Sequence, residues 1–303
     1  TARVMVNRLW TLCFGDGLVR TPNDFGLQGE APTNAALLDF LAVRFRDGDA
    51  QTKPWDVKAL LKLIVTSETF QQSSRFTPEL LSRDPDNRLL ARGPRFRLPA
   101  EVIRDQALAL SGLLVPKIGG PSVKPPQPAG LWEAVSYNGE ARYLADKGDA
   151  AHRRGLYTFW KRQSPPPDML TLDGPTREVC TVRRPRTNTP LQALLLLNDE
   201  NYLEAARALA ERVIAEGGQD DEKRLQWLFR TVLSRKPDAK EFSMLTAALT
   251  KQRDLYQNDP KAAENAIQVG ESLPKNVAAP AETAAWTLIA NLVLNLDETV
   301  TRN

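Results

Sequence analysis

The sequence predicts a mainly α fold: a multi-helix globular domain with an irregular Pro/Gly-rich middle layer and at most a small β element. Apolar residues recur at helical spacing in the first and last thirds of the 303 residues. Prolines and glycines crowd the middle third, through which long helices cannot run. No repeat of about 30 to 45 residues is visible, which argues against a solenoid. We therefore expect one domain over residues 1–303, helical in 1–114, irregular in 115–189 and helical in 190–303.

Four helices are predicted in the first third, from apolar spacing and from residues that start or stop helices. A broad apolar face in 3–14 ends near Gly15, and the turn-rich stretch 20–32 is predicted as a loop. Thr33 can cap the second helix, and Pro99 suits the first turn of the fourth. The predicted helices cover residues 3–14, 33–45, 57–65 and 99–114.

The middle third is predicted to be ordered although it lacks long helices. Its aromatic residues are too frequent for a disordered linker, because disordered segments are poor in them. The run from Leu156 to Trp160 consists of β-forming residues and can make a short strand. Gly119 and Gly120 resemble a phosphate loop only superficially, since no Gly-Lys-Ser/Thr follows them, and a rigid turn is the better interpretation.

The last third is predicted to be helical again. Thr189 and Pro190 have the pattern of a helix cap and first turn, and Leu191, Leu194 and Leu195 then form an apolar face. Further helices are predicted at 201–215, 225–232, 238–256 and 281–296, the last one apolar on several faces and so a core helix.

Composition excludes several classes of protein. With 42% hydrophobic and 25% charged residues the chain is an ordinary globular protein, and a net charge of +3 gives no reason to expect a nucleic-acid partner. No apolar run reaches the roughly 18 residues of a membrane span. The first residue is not Met and lies at a predicted helix, so we expect an excerpt of a longer protein with any targeting signal upstream.

Cysteine and histidine are scarce. Two cysteines and one histidine exclude a disulfide framework, a four-thiolate metal site and a c-type haem attachment, so no cofactor is expected in this segment. Cys13 and Cys180 can form a disulfide in an oxidising compartment, or remain two separate buried thiols.

In the acidic loop 14–26, Asn23 and Asp24 can ligate calcium. However, the spacing is not that of an EF-hand, and Asx-turn or capping roles are the simpler interpretation.

Two segments combine basic residues with features that suit anion binding. In 152–162, basic residues flank an aromatic run, so that Arg and Lys could bind an anionic polymer while an aromatic ring stacks. In 173–193, arginines converge on a predicted helix N-terminus, and Cys180 among them can have a lowered pKa. In both segments the alternative is structural, with aromatics in the core and arginines bonded to carbonyls and carboxylates. The candidate binding residues are Arg153, Arg154, Tyr157, Trp160, Arg177, Arg183, Arg184 and Arg186.

Several runs of the chain resemble the domain of unknown function numbered 1553, which is abundant in planctomycetes. They include RVMVNRLW, GLVRTPNDFG, DPDNRLL, GGPSVKPPQP, RRGLYTFWKR, TREVCTVRRPRTNTPLQALLLLND and AAWTLIANLVLNLDE, and they extend from end to end. The resemblance implies an exported, extracytoplasmic multidomain protein whose upstream domains often include a cytochrome c-type domain. It also implies a setting of polysaccharide-degrading genes. Relatives often have histidine near the positions of Cys13 and Asn34, and no catalytic residue can be transferred.

Three functions follow as hypotheses. The favoured one is a non-catalytic accessory or interaction domain that binds an anionic, sulfated glycan or a protein partner, beside the upstream domains of the same polypeptide. The second is a glycan-acting hydrolase that uses the loop carboxylates of Asp24, Asp173 and Glu178, because glycosidases need two carboxylates across a cleft. The third is a redox accessory to a cytochrome c domain, which the single histidine and missing haem motif disfavour.

Overall fold

The computed structural model describes residues 1–275 and 278–302, and the fold is mainly helical as the sequence predicts. The chain forms two compact units. Unit 1 contains residues 1–97 and 180–185 together with Thr301–Arg302, and unit 2 contains 98–179 and 186–300. The expectation of a single domain over 1–303 stays a prediction.

Unit 1 is a small helical unit whose first two helices pack against each other. Its helices are α1 (Ala2–Phe14), α2 (Ala35–Asp47), α3 (Val57–Val65), α4 (Glu68–Gln71) and α5 (Pro78–Arg83). Helix α1 ends at Gly15, whose φ of 84° suits a residue without a Cβ. Val6 and Leu38 are completely buried between α1 and α2, so the apolar stripes found in the sequence form the core.

A two-stranded antiparallel sheet completes unit 1. Strand β1 (Phe96–Arg97) pairs with β2 (Thr301–Arg302), with Phe96 opposite Arg302 and Arg97 opposite Thr301. It is the one sheet within the described residues. This agrees with the expectation of at most a small β element.

Unit 2 is built around one central helix. Its helices are α6 (Ala100–Ser111), α7 (Leu131–Ala134), α8 (Pro167–Thr171), α9 (Pro190–Asn198), α10 (Glu200–Glu216), α11 (Asp221–Leu233), α12 (Ala239–Asn258), α13 (Pro260–Ile267), α14 (Pro280–Leu294) and α15 (Asp297–Val300). Helix α14 packs against α9 to α13 and α15. Trp286 on α14 is fully buried beside Leu209 and Phe229 of the main apolar cluster. The prediction of a core helix near the C-terminus is confirmed.

Ion pairs hold the helices around α14 together. The guanidinium of Arg253 on α12 donates to the Asp221 carboxylate on α11 at 2.7 Å and to the Glu282 carboxylate on α14 at 2.6 Å. The guanidinium of Arg235 similarly donates to the Glu241 carboxylate on α12 at 2.7 Å and to the Glu298 carboxylate on α15 at 2.6 Å. Such bidentate pairs fix helix positions more firmly than single surface contacts do.

The predicted strand from Leu156 to Trp160 does not form. Gly155–Tyr157 is a 3-10 turn, and the residues after it make only isolated bridges, Val123 with Thr158 and Lys161 with Ser164. The neighbouring segment is rich in proline, which lacks the N–H that a longer ladder needs. A β-forming run therefore becomes an extended segment with a single bridge to its neighbour.

Of the apolar face predicted for α9, Leu195 is half-buried against an apolar cluster, but Leu191 and Leu194 lie at the surface. Gln192 is completely buried and Leu196 nearly so, whereas Leu191 and Leu194 are 60% and 57% exposed. The predicted start is correct, because Thr189 and Gln192 form a reciprocal capping box ahead of Pro190. The buried amide of Gln192 has three polar partners, Thr171, Asp173 and Thr187, and these bonds keep Gln192 inward in place of Leu191 and Leu194.

No helix in the described part of the chain combines the length and the apolar character that crossing a membrane requires.

Candidate functional site

Arg153 and Tyr157, two of the predicted binding residues, are used inside unit 2. Arg153 is only 6% exposed, and its guanidinium donates to the carbonyls of Lys117, Pro121 and Gly119 at 2.5 to 3.0 Å. It also stacks 3.8 Å from the centre of the Tyr157 ring, whose hydroxyl accepts from the Gly119 N–H. Both residues thus support the turn at residues 117–121, which matches the structural alternative.

The next three candidates lie at the surface of unit 2. Arg154 is exposed and its Nε lies 3.4 Å from a carboxylate oxygen of Asp105. Trp160 packs against an apolar cluster, and its indole N–H donates to the Thr176 carbonyl at 3.0 Å. The exposed Arg177 stacks 4.3 Å above the Trp160 ring. The ring is therefore covered by a residue of its own chain.

Asp173 organises the loop before α9. Its carboxylate accepts from the Thr187 N–H at 2.6 Å, from the Thr187 hydroxyl at 2.9 Å and from the Gln192 amide at 3.2 Å. Glu178 is exposed a few residues further on. These bonds give the Asp173 carboxylate a structural role, and the proposed hydrolytic roles of Asp173 and Glu178 stay predictions.

The candidates in unit 1 lie in loops. Asp24 accepts from the Gly26 N–H at 2.6 Å in a local Asx turn, next to the exposed Asn23. Arg183 lies 3.3 Å from the Asp16 carboxylate, and Arg184 is exposed. The described residues contain no group of three or more His, Cys, Asp or Glu side chains that could hold a metal ion.

The remaining predicted groups are dispersed. Arg186 is exposed in unit 2, and the two cysteines are free thiols, Cys13 buried and Cys180 exposed. The expectation of two buried thiols is therefore correct only for Cys13.

The single histidine, His152, is buried, and its Nε2 lies 3.0 Å from Oε1 of Glu204. Burial raises the pKa of Glu204, but hydrogen bonds from His152 and Ser272 outweigh it and leave that pKa below its ordinary value.

A different set of residues in unit 2 brings cations and aromatic faces together at the surface. The ammonium group of Lys161 lies 4.5 Å from the centre of the Trp132 ring, and that of Lys124 lies 5.5 Å from the rings of both Trp132 and Phe159. Trp132 also makes an edge contact with Tyr143 at 5.1 Å. We call Lys124, Trp132, Tyr143, Phe159 and Lys161 the lysine–tryptophan surface.

Backbone pairing positions this surface. The Val123 N–H donates to the Tyr157 carbonyl at 2.8 Å, and the Phe159 N–H donates to the Val123 carbonyl at 2.7 Å. The extended segment then alternates, with Thr158 only 7% exposed and Phe159 37% exposed. Since side chains alternate along extended backbone, Phe159 and Lys161 share the outer face.

The backbone of Lys124 and the helix that carries Trp132 are also fixed. The Lys124 N–H donates to the Asp146 carboxylate at 2.7 Å, and the Asp146 N–H donates to the Lys124 carbonyl at 2.8 Å. Trp132 lies in α7, which begins after Gly130 in a left-handed conformation, φ 86°. The backbone that carries these rings and cations is thus fixed before binding. The protein therefore loses less conformational entropy when a polymer binds.

The electrostatics of the lysine–tryptophan surface favour an anion. The Asp146 carboxylate is occupied by a backbone N–H, and that of Glu133 pairs with Arg142 at 3.2 Å. Within residues 1–275 and 278–302, neither Lys124 nor Lys161 has an ion pair with a carboxylate. Both ammonium groups therefore lie over ring faces without an ion pair to a carboxylate, and their N–H donors are available to a ligand.

A half-buried acid, Asp168, acts on this surface, since burial and then the field of Asp168 raise the pKa of Tyr143. Asp168 is half-buried, and burial, with a smaller contribution from the Asp199 carboxylate, raises its pKa to about 6. Arg104 beside it donates to the carbonyls of Arg153 and Ala151, each at 2.7 Å. Burial, followed by the field of Asp168, raises the pKa of Tyr202 well above its ordinary value. The Asp168 carboxyl can therefore bind a proton near neutral pH.

Sequence reasoning missed Lys124, Trp132 and Lys161 as a group. Hydrophobicity gave no signal for it, because the polar Thr158 is 7% exposed and the apolar Phe159 is 37% exposed. Trp132 and Lys124 come from other segments, and their approach depends on the turns between them.

Comparison with known proteins gives a family and no described activity. No curated protein and no solved structure matches the chain. Residues 1–249, more than half of the sequence, match the family described as "Protein of unknown function (DUF1553)". The chain therefore belongs to the DUF1553 family of proteins of unknown function.

Proposed function

We propose that this protein is a non-catalytic binding module for an anionic glycan, and that the lysine–tryptophan surface makes the contact. The observation that carries the proposal is the pair of ammonium groups, Lys161 at 4.5 Å and Lys124 at 5.5 Å, over the ring of Trp132. The arrangement holds two positive charges close together over one aromatic ring, beside the ring of Phe159, which is 37% exposed. A sulfated sugar presents the matching apolar ring face and anionic group.

The chemistry explains why a charged sugar polymer fits better than a neutral one. Aromatic faces stack on apolar ring surfaces, and Lys ammonium groups are compact charges with three donors each for sulfate or carboxylate oxygens. Each contact is weak at an exposed site, about 0.5–1 kcal/mol for a cation over a ring. Useful affinity therefore needs a polymer that repeats the contact.

The family resemblance supports the setting of this function. We propose that the chain acts outside the cytoplasm, beside upstream domains of the same polypeptide, one of which carries cytochrome c. The exposed Cys180 thiol provides a test of the compartment. A membrane-impermeant maleimide should label Cys180 on intact cells, and labelling only after lysis would contradict the proposed location.

The binding test compares dextran sulfate with uncharged dextran of equal length by isothermal titration calorimetry. The protein should bind dextran sulfate only, and binding should weaken strongly when the salt concentration is raised, because exposed charges are screened. The variants Trp132→Ala and Lys124→Ala/Lys161→Ala should each lose at least about tenfold in affinity, equivalent to roughly 1.4 kcal/mol.

The matched control is Lys251→Ala/Lys261→Ala, which removes two exposed lysines from α12 and α13. It carries the same loss of net charge and should bind as the parent protein does. Polyglutamate of similar charge separates a glycan from any polyanion, since it offers no sugar ring. Equal losses in the control and in the site variants, or equal affinity for polyglutamate, would refute the proposal.

A further inference from the structure

An open basin lies where α10 ends and α11 passes, entirely within unit 2. It encloses about 390 Å³ and is lined by Gly217, Lys223, Gln226, Trp227, Arg230 and Thr231. Ligand pockets for small molecules typically enclose about 300–1,000 Å³. The basin therefore has room for one monosaccharide-sized ring, and it shares no residue with the lysine–tryptophan surface.

Trp227 provides the apolar wall of the basin. The residue is half-buried and packs against the main apolar cluster of unit 2, so its ring has a fixed position. The Arg212 guanidinium lies 5.2 Å from the ring centre and is held by the Leu110 carbonyl at 2.6 Å and by the Glu216 carboxylate at 2.9 Å. Because the Trp227 ring is already fixed, it loses little conformational entropy on binding, which favours affinity.

The acidic side chains next to the basin already have partners. Asp220 pairs with Lys223 at 2.7 Å, and Glu222 accepts from the Gln226 amide at 3.0 Å. Arg230 is exposed and, in the part of the chain that the structure describes, its guanidinium has no ion pair or side-chain hydrogen bond. Arg230 is thus the cation of the basin whose charge is not locally neutralised.

We infer that this basin binds a monosaccharide-sized ring that bears one oxyanion, a sulfate or a carboxylate. The guanidinium of Arg230 takes the oxyanion in a bidentate contact, and the ring lies against Trp227. The Thr231 hydroxyl and the side-chain carbonyl of Gln226 offer hydrogen bonds to ring hydroxyl groups. The inference does not depend on the proposed polymer site, because the two sets of residues are separate.

The test uses the complete chain and four probes in isothermal titration calorimetry. Galactose 6-sulfate and glucuronate carry a ring with an oxyanion, galactose carries the ring alone, and inorganic sulfate carries the anion alone. We expect binding of galactose 6-sulfate or glucuronate at millimolar concentration or below, and at least tenfold weaker binding of galactose and sulfate. Whichever of galactose 6-sulfate and glucuronate binds with the higher affinity shows whether the basin prefers a sulfate or a carboxylate.

Variants locate the binding. Arg230→Gln should weaken binding of the ring anion at least tenfold, and Trp227→Leu should weaken it while a circular dichroism melt checks that the protein still folds. Lys161→Ala and the exposed Lys251→Ala should leave this binding unchanged while Lys161→Ala weakens dextran sulfate binding. Failure of polymer binding alone would therefore leave the basin proposal intact.

Three outcomes would overturn the inference. They are no measurable binding of either ring anion by the parent protein, unchanged affinity in Arg230→Gln, and inorganic sulfate binding as tightly as galactose 6-sulfate.

Discussion

At the scale of residues, buried arginines hold the proline-rich middle of the chain. Arg104 and Arg153 donate to backbone carbonyls at 2.5 to 3.0 Å. Proline removes N–H donors, so carbonyls in such segments lack the partners that helices and sheets supply. A guanidinium offers five donors and fills this need. An arginine-rich motif in a sequence can therefore reflect the fold as readily as a binding site.

The carboxyl of Asp168 makes stability depend on pH. Its pKa in the native state is about 6, above the ordinary value of 3.8, because it is buried and lies near Asp199. The native state therefore holds a proton that the unfolded state has released, and stability falls as pH rises from about 4 to about 6. We expect Asp168→Asn, which imitates the protonated acid, to stabilise the protein at pH 7 by on the order of 2 kcal/mol.

The measurement is urea denaturation of the parent protein and Asp168→Asn at pH 4 and pH 7. The two proteins should have nearly equal stability at pH 4, where the acid is protonated in the native state. The control Asp254→Asn alters an exposed carboxylate on α12 and should change neither value by more than about 0.5 kcal/mol. A variant less stable than the parent at pH 7 would show that the Asp168 carboxylate is required in its charged form.

At the scale of elements, α9 shows how one polar residue can orient a helix. The buried Gln192 amide donates to the Thr171 carbonyl and the Thr187 hydroxyl, each at 3.0 Å, and to Asp173 at 3.2 Å. A leucine at this position would remove these hydrogen bonds together with the Gln192 half of the capping box, and a typical hydrogen bond contributes about 0.5–1.5 kcal/mol to stability. The helix therefore exposes Leu191 and Leu194 in order to keep these bonds.

Two substitutions on α9 should have opposite effects from those that hydrophobicity predicts. Gln192→Leu should destabilise the protein by about 1–3 kcal/mol because it removes the hydrogen bonds of a completely buried amide and its half of the capping box. Leu191→Gln, at a position 60% exposed, should change stability by less than about 0.5 kcal/mol. Thermal melts of both variants at one pH make the comparison. A stabilising Gln192→Leu would mean that water satisfies these groups.

The sequence predicts these elements where local signals decide and fails where distant partners decide. The starts of α9 and α12 follow from capping boxes at Thr189 and Asp238, which involve residues only three positions apart. The segment 156–160 has equally good β-forming residues, but a strand needs a partner, and its neighbour is rich in proline. The lysine–tryptophan surface was missed for a related reason, since Lys124 and Trp132 come from separate segments.

At the scale of the whole chain, both ends contribute to unit 1. Strand β2, near residue 302, pairs with β1, and the Arg302 guanidinium stacks 4.0 Å from the Phe70 ring. Arg302 also donates to the carbonyl of Cys13, 289 positions earlier in the sequence. A two-residue strand has no periodicity to detect, so sequence patterns could not predict this closure.

The contact between Arg302 and Cys13 can be tested through the Cys13 thiol, which is 6% exposed and should react slowly with a thiol reagent. Cys180→Ser serves as the background, because the exposed Cys180 would react first. Arg302→Ala removes the stacking and the hydrogen bond, and should lower the free energy of local opening by roughly 1–2 kcal/mol. Since labelling requires opening, Cys13 should then react about 5 to 30 times faster. Arg162→Ala, which removes an exposed arginine of unit 2, should leave the rate unchanged, and an unchanged rate in Arg302→Ala would show that β2 does not protect α1.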